Sequence, residues 1–141
     1  MAKQLQAKLI EKKQLTKDIY HFKVQAEDIV KEAKPGNFIE IRVTQNTEPF
    51  LRRPISIYNL DKENGILEFI FQVKGKGTKI LAEKQEGELI DVIGPLGFGT
   101  FKLGEYKNIA IIRRRNRNIP IIWASKTSTK WGKNSKHIFR I

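Results

Sequence analysis

Period-two alternation in short segments, each closed by a turn signal, constrains this chain more than any other feature. In residues 66–73, Leu67, Phe69 and Phe71 alternate with Glu68, Ile70 and Gln72, which puts the two sets on opposite faces of a strand. Leu5, Ala7 and Leu9 do the same against Gln4, Gln6 and Lys8, and Tyr20, Phe22, Val24 and Ala26 repeat it. Residues 38–43, 54–58 and 88–93 complete six predicted strands. Lys34-Pro35-Gly36, Asp61-Lys62-Glu63-Asn64-Gly65 and Gly94-Pro95-Leu96-Gly97 are turn signals between or after them, with Gly where positive φ is needed. Residues 78–84 read as one short helix, and residues 28–33 as a helical or irregular link. This pattern predicts a mainly β fold, a small six-stranded antiparallel Greek-key barrel.

Asn108-Ile109-Ala110-Ile111-Ile112 breaks the pattern. A continuous apolar run of this kind suits a parallel strand buried on both faces, the usual opening of an α/β domain. Arginines follow it instead. Of 27 Lys+Arg in the chain, 18 lie in residues 1–112 beside all 15 Asp+Glu, a net of +3. The other nine, from Arg113 to Arg140, have no acid among them and carry most of the net +12. The sequence changes character at Ile112.

Composition narrows the function classes. There is no cysteine, so this chain holds no disulfide, thiolate metal site, Cys nucleophile or thiolate-held iron–sulfur cluster. His21 and His137 stand alone, without companions at metal spacing. No apolar run approaches the roughly 18 residues of a spanning helix, and Met1-Ala2-Lys3-Gln4 leads into no apolar signal segment. A cytoplasmic protein that does not cross a membrane is the expectation. The basic stretch, with Trp123 and Trp131, would bind RNA by charge and stacking if it were a genuine tail; nucleic acid is the alternative partner class.

Three segments carry candidate chemistry. In Leu51-Arg52-Arg53-Pro54-Ile55-Ser56-Ile57, a guanidinium and a hydroxyl flank a proline-led strand. Arg53 suits a bidentate phosphate contact and Ser56 a hydrogen bond to a ring nitrogen or carbonyl; a solvated edge strand is the competing reading. Gly75-Lys76-Gly77-Thr78 precedes the predicted helix, so it offers either a phosphate cradle at a helix N-terminus or simply a turn capped by Thr78. It lacks Walker spacing. Gly94-Pro95-Leu96-Gly97 alone is a turn.

Together with Pro35-Gly36-Asn37-Phe38, and in this order, these segments resemble the flavin-binding barrel of the ferredoxin–NADP reductase superfamily. Leu-Arg-Arg-Pro-Ile-Ser followed by Val-Lys-Gly-Lys-Gly-Thr is similar to the electron-transfer subunits of NAD-dependent dihydroorotate dehydrogenases, over about residues 4–112. The resemblance implies FAD as cofactor. It implies that Arg53 faces the pyrophosphate, that Pro54, Ile55 and Ser56 line the isoalloxazine, and that Ile70, Phe71 and Gln72 lie along the cofactor. Gly77 and Thr78 would present N–H and hydroxyl groups to the phosphates. The superfamily often has Tyr where Ile55 stands, so that stacking is absent; Tyr58 is a candidate substitute. In such proteins FAD exchanges electrons with NAD in a second domain and with a 2Fe–2S cluster. The cluster connects to an FMN-containing catalytic subunit in a heterotetramer of pyrimidine biosynthesis. A flavin subunit of a ferredoxin–NADP or sulfide oxidoreductase is the neighbouring alternative. No catalytic residue or metal ligand is assigned to this chain.

The expected organisation is a barrel over residues 1–100, a linker and first strand of a truncated nucleotide domain over 101–112, and a non-native, disordered tail over 113–141. Where the resemblance calls for a Gly-rich turn, Arg113-Arg114-Arg115-Asn116-Arg117-Asn118 stands. With Arg as AGG and Asn as AAT, reading one base later yields Gly-Gly-Gly-Ile-Gly-Ile. Permissible codons continue it as an amphipathic helix, a turn and a next strand. A frame slip after Ile112 is therefore the reading of this stretch.

Overall fold

The computed structural model describes residues 1–34, 36–44, 49–98, 108–112 and 134–138. Its elements are β1 (Lys3–Thr16), β2 (Ile19–Gln25), α1 (Glu27–Glu32), β3 (Phe38–Arg42), β4 (Arg53–Asp61), β5 (Ile66–Gln72), α2 (Lys76–Glu83), β6 (Leu89–Leu96), β7 (Asn108–Ile112) and β8 (Asn134–Ile138). The first six strands close a barrel in the order β1-β2-β5-β4-β3-β6, every pair antiparallel. The run β3-β4-β5 is consecutive, and β6 returns beside β3, which is the Greek key. Closure leaves none of the six strands an edge along its whole length.

The alternation does what its period requires. Leu67, Phe69 and Phe71 point inward and are buried, as are Phe22 and Val24 from β2, Ala7 and Leu9 from β1, and Ile90 and Val92 from β6. Phe22, Phe69, Phe71 and Tyr20 form an aromatic cluster at one end. Phe22 meets Phe71 edge-on at 5.1 Å, and Tyr20 stacks on Phe71 at 5.8 Å. Of residues 28–33, left between helix and irregular link by the pattern, 28–32 belong to a true short helix that Ala33 caps, so the described residues hold two helices. α1 buries Ile29 and Val30 against the core. Gly94 sits beneath it; a Cβ there would lie 2.8 Å from Ile39 Cγ2.

Several boundaries differ from expectation. β4 runs on to Asp61 rather than 58, and α2 begins at Lys76 rather than 78. β1 runs on to Thr16, carried by pairing with β2 through two register shifts. β6 continues through Gly94 and Pro95 to Leu96, and the turn falls at Gly97, whose φ is +83°. β7 forms where the apolar run placed it. Within the stretch expected to be unstructured, β8 lies parallel to β7, from Asn108↔Asn134 to Ile112↔Ile138. Parallel pairing supplies a strand that the charge pattern conceals. Residues 101–107, expected to be a linker, and 113–133 and 139–141 of the tail, with Trp123 and Trp131, lie outside the described residues. Among the described residues, no helix is long and apolar enough to cross a membrane.

The β4–β5 hairpin sets the register that matters for the site. Its turn is tied by Asp61, whose carboxylate accepts from the Asn64 side-chain amide at 2.7 Å and from the N–H of Glu63 and Asn64 at 3.1 Å each. The Asn64 amide, then these backbone donors, hold the Asp61 carboxyl below its ordinary value. A depressed carboxyl stabilises the fold fully above its unfolded value, about 3.9, and the contribution is lost as pH falls through the folded one. The melting advantage of the parent over Asp61→Asn should therefore be larger at about pH 6 than at about pH 2.5. Thermal melts of both chains at the two pH values check it; an equal advantage at both would show that the turn does not depend on the ionised group.

Candidate flavin site

β4 and β5 pair only from Ile57↔Phe69 to Asp61↔Ile66. Beyond that point they part. Residues 53–56 of β4 keep only β3 as partner, with Phe38↔Ser56 and Ile41↔Arg53. Residues 70–72 of β5 keep only β2. Pro54 sits on the parted stretch, where its missing N–H costs no ladder bond. A register shift between Ile57 and Asn59 marks the start of the parting. The cleft between these strand ends opens toward α2.

The three sequence motifs meet around it. Asn37 is buried; its Oδ1 accepts from Lys34 N–H at 2.7 Å, and its Nδ2 donates to the carbonyls of Leu96 and Gly97 at 2.9 Å each. Its own carbonyl accepts from Ile57 N–H at 3.3 Å. Phe38 pairs with Ser56 on one side and Leu96 on the other. A polar side chain, satisfied in full, thus pins the turn before β3 to the end of β6 and to β4.

Arg53 and Gly77 form the polar end. Arg53 Nη1 donates to the carbonyl of Leu51 at 2.8 Å and, longer, to that of Arg52 at 3.4 Å. The opposite edge of the guanidinium lies on Gly77, where a Cβ would stand 2.8 Å from Nη2 and 2.9 Å from Cζ. Only glycine leaves room for it. Gly77 is in the first turn of α2, where N–H groups lack intrahelical acceptors and the dipole favours an anion. Lys79 N–H makes the first helical bond, to Gly75 carbonyl at 3.0 Å.

Thr78 is not the cap expected of it, since Gly75 is the N-cap of α2 and Thr78 stands at its third position. Its Oγ1 accepts from Lys74 N–H at 2.9 Å and Gly75 N–H at 3.2 Å, and donates to Gly75 carbonyl at 3.1 Å. The hydroxyl is engaged in holding the turn that starts α2. What Thr78 has to offer a phosphate is its backbone N–H.

The remaining candidates divide by strand parity. Pro54, Ser56 and Ile70 lie on the outer face of the parting and are partly or fully exposed, whereas Ile55 and Phe71 point inward and are buried. Side chains of the inward pair do not share a face with Ser56. Gln72 faces outward, and its amide donates to the Asp18 carboxylate in the β1–β2 turn. Among the described residues the Ser56 hydroxyl makes no hydrogen bond. Tyr58 is on the same outer face, meeting His21 edge-on at 5.5 Å.

Pattern reading missed a polar cluster beside Ile70. His21, opposite Ile70 in the β2–β5 ladder, bonds Glu68 at 2.8 Å, and Asn59 Nδ2 donates to the same carboxylate at 2.9 Å. It also missed the buried Asp91. No signal marks either, because their partners lie many residues away.

A dinucleotide carrying a flat ring fits these residues. The Arg53–Gly77 cradle and the start of α2 suit a diphosphate. The outer face of Ser56, Tyr58 and Ile70 suits a ring with hydrogen-bonding atoms at its edge. Gly77→Ala should weaken FAD binding by about tenfold or more, since a hydrogen bond to a charged group is worth about 1.5–3 kcal/mol. Thermal stability should hardly fall, because Ala is the better helix former. Titration by flavin fluorescence and a melt of the same variant check both halves.

Known proteins share this barrel. The oxidoreductase FAD-binding domain family matches residues 6–101. The dihydroorotate dehydrogenase B (NAD(+)) electron transfer subunit of Lysinibacillus sphaericus is 38% identical over 99 residues, 70% of this chain and 38% of that protein. The subunit of the same name from Bacillus cereus strain G9842 is 41% identical over 91 residues, 64% of this chain and 35% of that protein. The chain spans little more than a third of the length of these relatives. Among solved structures, an NADH-dependent reduced ferredoxin–NADP oxidoreductase superposes with a TM-score of 0.84 at 26% identity, covering 94% of this chain and 47% of that one. A ferredoxin reductase of carbazole 1,9a-dioxygenase superposes with a TM-score of 0.80 at 22% identity, covering 96% and 42%, and shares the fold. The chain belongs to the oxidoreductase FAD-binding domain family, with the barrel of the ferredoxin reductase type.

Proposed function

We propose that this chain is the FAD-binding barrel of an electron-transfer subunit of an NAD-dependent dihydroorotate dehydrogenase. The observation that carries the FAD half is the Arg53–Gly77 cradle at the parting of β4 and β5. The names of relatives at about 40% identity support the assignment to that enzyme. FAD, when bound, supplies reversible electron uptake and release. The chain's own residues do the rest. Arg53 and the first turn of α2 offset the charge of the diphosphate. Ser56 offers its hydroxyl to a polar ring edge. Ile70 and Tyr58 exclude water from one side of the ring. Pro54 shapes the strand without demanding a ladder partner, and Ile55 and Phe71 support that wall from within the barrel.

In the full assembly, electrons would pass between NAD, a 2Fe–2S cluster and an FMN-containing catalytic subunit. This chain has no cysteine, so the cluster is held by other residues. Residues 113–141 are read as the out-of-frame counterpart of the nucleotide domain's first turn, helix and second strand. The parallel partnership of β7 and β8, a pairing that needs a crossover between them, supports a nucleotide-domain beginning at β7. The nucleotide sequence across codons 112–113 tests the slip directly; a coding frame without the shifted Gly-rich turn rejects it.

Arg53→Ala should weaken FAD binding by about tenfold or more, through loss of a charge-assisted bond. Isothermal titration of the parent and the variant with FAD checks this, and unchanged affinity in the variant would remove Arg53 from the site.

A further inference from the structure

Arg52 and Arg53 are adjacent in sequence but go to different places. Arg52 reaches from the start of β4 across β3 to β6. There its Nη2 lies 2.9 Å from Asp91 Oδ1 and 3.0 Å from Oδ2, with Nη1 at 3.4 Å from the Asp91 carbonyl. Asp91 pairs in the ladder with Gln6 of β1 and Arg42 of β3. It is only 6% exposed. Gln4 Nε2 completes its shell, 3.1 Å from each carboxylate oxygen.

A buried ion pair of this kind adds little net stability over an apolar pair of the same size, while removing one partner strands the other. Its value is in geometry. The segment it tethers is exposed. Phe50 and Leu51 are 74% and 71% exposed and line an open cleft of about 420 Å³ with Glu40, Arg42 and Arg52. Yet the carbonyls of Leu51 and Arg52 are the acceptors that hold Arg53 Nη1. Where those carbonyls sit decides where the Arg53 guanidinium lies on Gly77.

We propose that Arg52, locked by Asp91 and Gln4, is a positioning residue that fixes the Leu51–Arg52 backbone and so preorganises Arg53 for the diphosphate. The inference rests on the assignment of Arg53 as the phosphate contact. A guanidinium held in place before the ligand arrives loses less freedom on binding. Arg52 itself never touches the ligand.

A double-mutant cycle in the full chain, read as the Kd for FAD, tests it. Arg52→Gln should weaken binding about tenfold with Arg53 present and by less than about twofold in the Arg53→Ala background, the non-additivity expected of residues that act through one another. Asp91→Asn keeps the shape and the acceptor oxygen but removes the charge. It should show the same coupling at smaller size, and melts of each variant confirm that it folds. Side-chain NMR of the FAD-free chain gives a second readout. The Arg53 Nε–H signal should be ordered in the parent and broadened or averaged in Arg52→Gln. Equal losses in both backgrounds, or an Arg53 signal unchanged by Arg52→Gln, would overturn the positioning role. Full affinity in Arg53→Ala alone would instead overturn the phosphate assignment, and the NMR comparison would still decide whether Arg52 orders Arg53.

Discussion

The parting of β4 from β5 beyond Ile57↔Phe69 is the constraint on which the site depends. A closed barrel satisfies its backbone by pairing every strand on both sides. Here two neighbouring strands separate for their last few residues while each stays paired to its other neighbour. The resulting gap presents backbone and outward side chains to a ligand without opening the core. Pro54, which has no N–H to lose, sits on the separated stretch. The Asn37 side chain, bonded to Leu96 and Gly97, braces the far side of β3 so that β4 does not drift. α2 then closes the end of the gap with its N-terminal turn.

The polar end is built by exclusion as much as by attraction. Gly77 matters for the side chain it lacks, since the Arg53 guanidinium occupies the space of its Cβ. Thr78 spends its hydroxyl on Lys74 and Gly75, which shapes the turn and leaves the first-turn N–H groups facing outward. Charge, dipole and glycine therefore converge on one spot from β4 and α2, although their residues are more than twenty positions apart.

The barrel was legible because burial enforces a period of two, and nearly every strand shows it. Phe69 and Phe71 inward against Glu68 and Ile70 outward could be read directly from the letters. The same period should have separated Ile55 from Ser56, since adjacent strand residues point to opposite faces; family resemblance groups them in one motif, but parity sends Ile55 into the core. Arg53 was singled out, but the letters gave no sign of where Arg52 goes, because a guanidinium's destination depends on which strand lies two places across the barrel. Asp91 likewise looks like an ordinary acid in a strand until β1, β3 and β4 surround it. β8 was hidden by its polar residues, Asn134, Ser135, Lys136 and His137, which give neither alternation nor an apolar run.

The two arginines show how a barrel converts a buried charge into precision at its mouth. Arg52 alone would be a costly cation, and Asp91 alone a costlier anion; paired, they come close to neutral in stability. What the pair changes is the freedom of the chain between them. Leu51 is 71% exposed, so without the tether its carbonyl would be freer to move and Arg53 would follow it. With the tether, the guanidinium proposed for the diphosphate is held against Gly77, whose missing side chain leaves space for it. The cost of ordering that group is met when the chain folds rather than when the ligand binds.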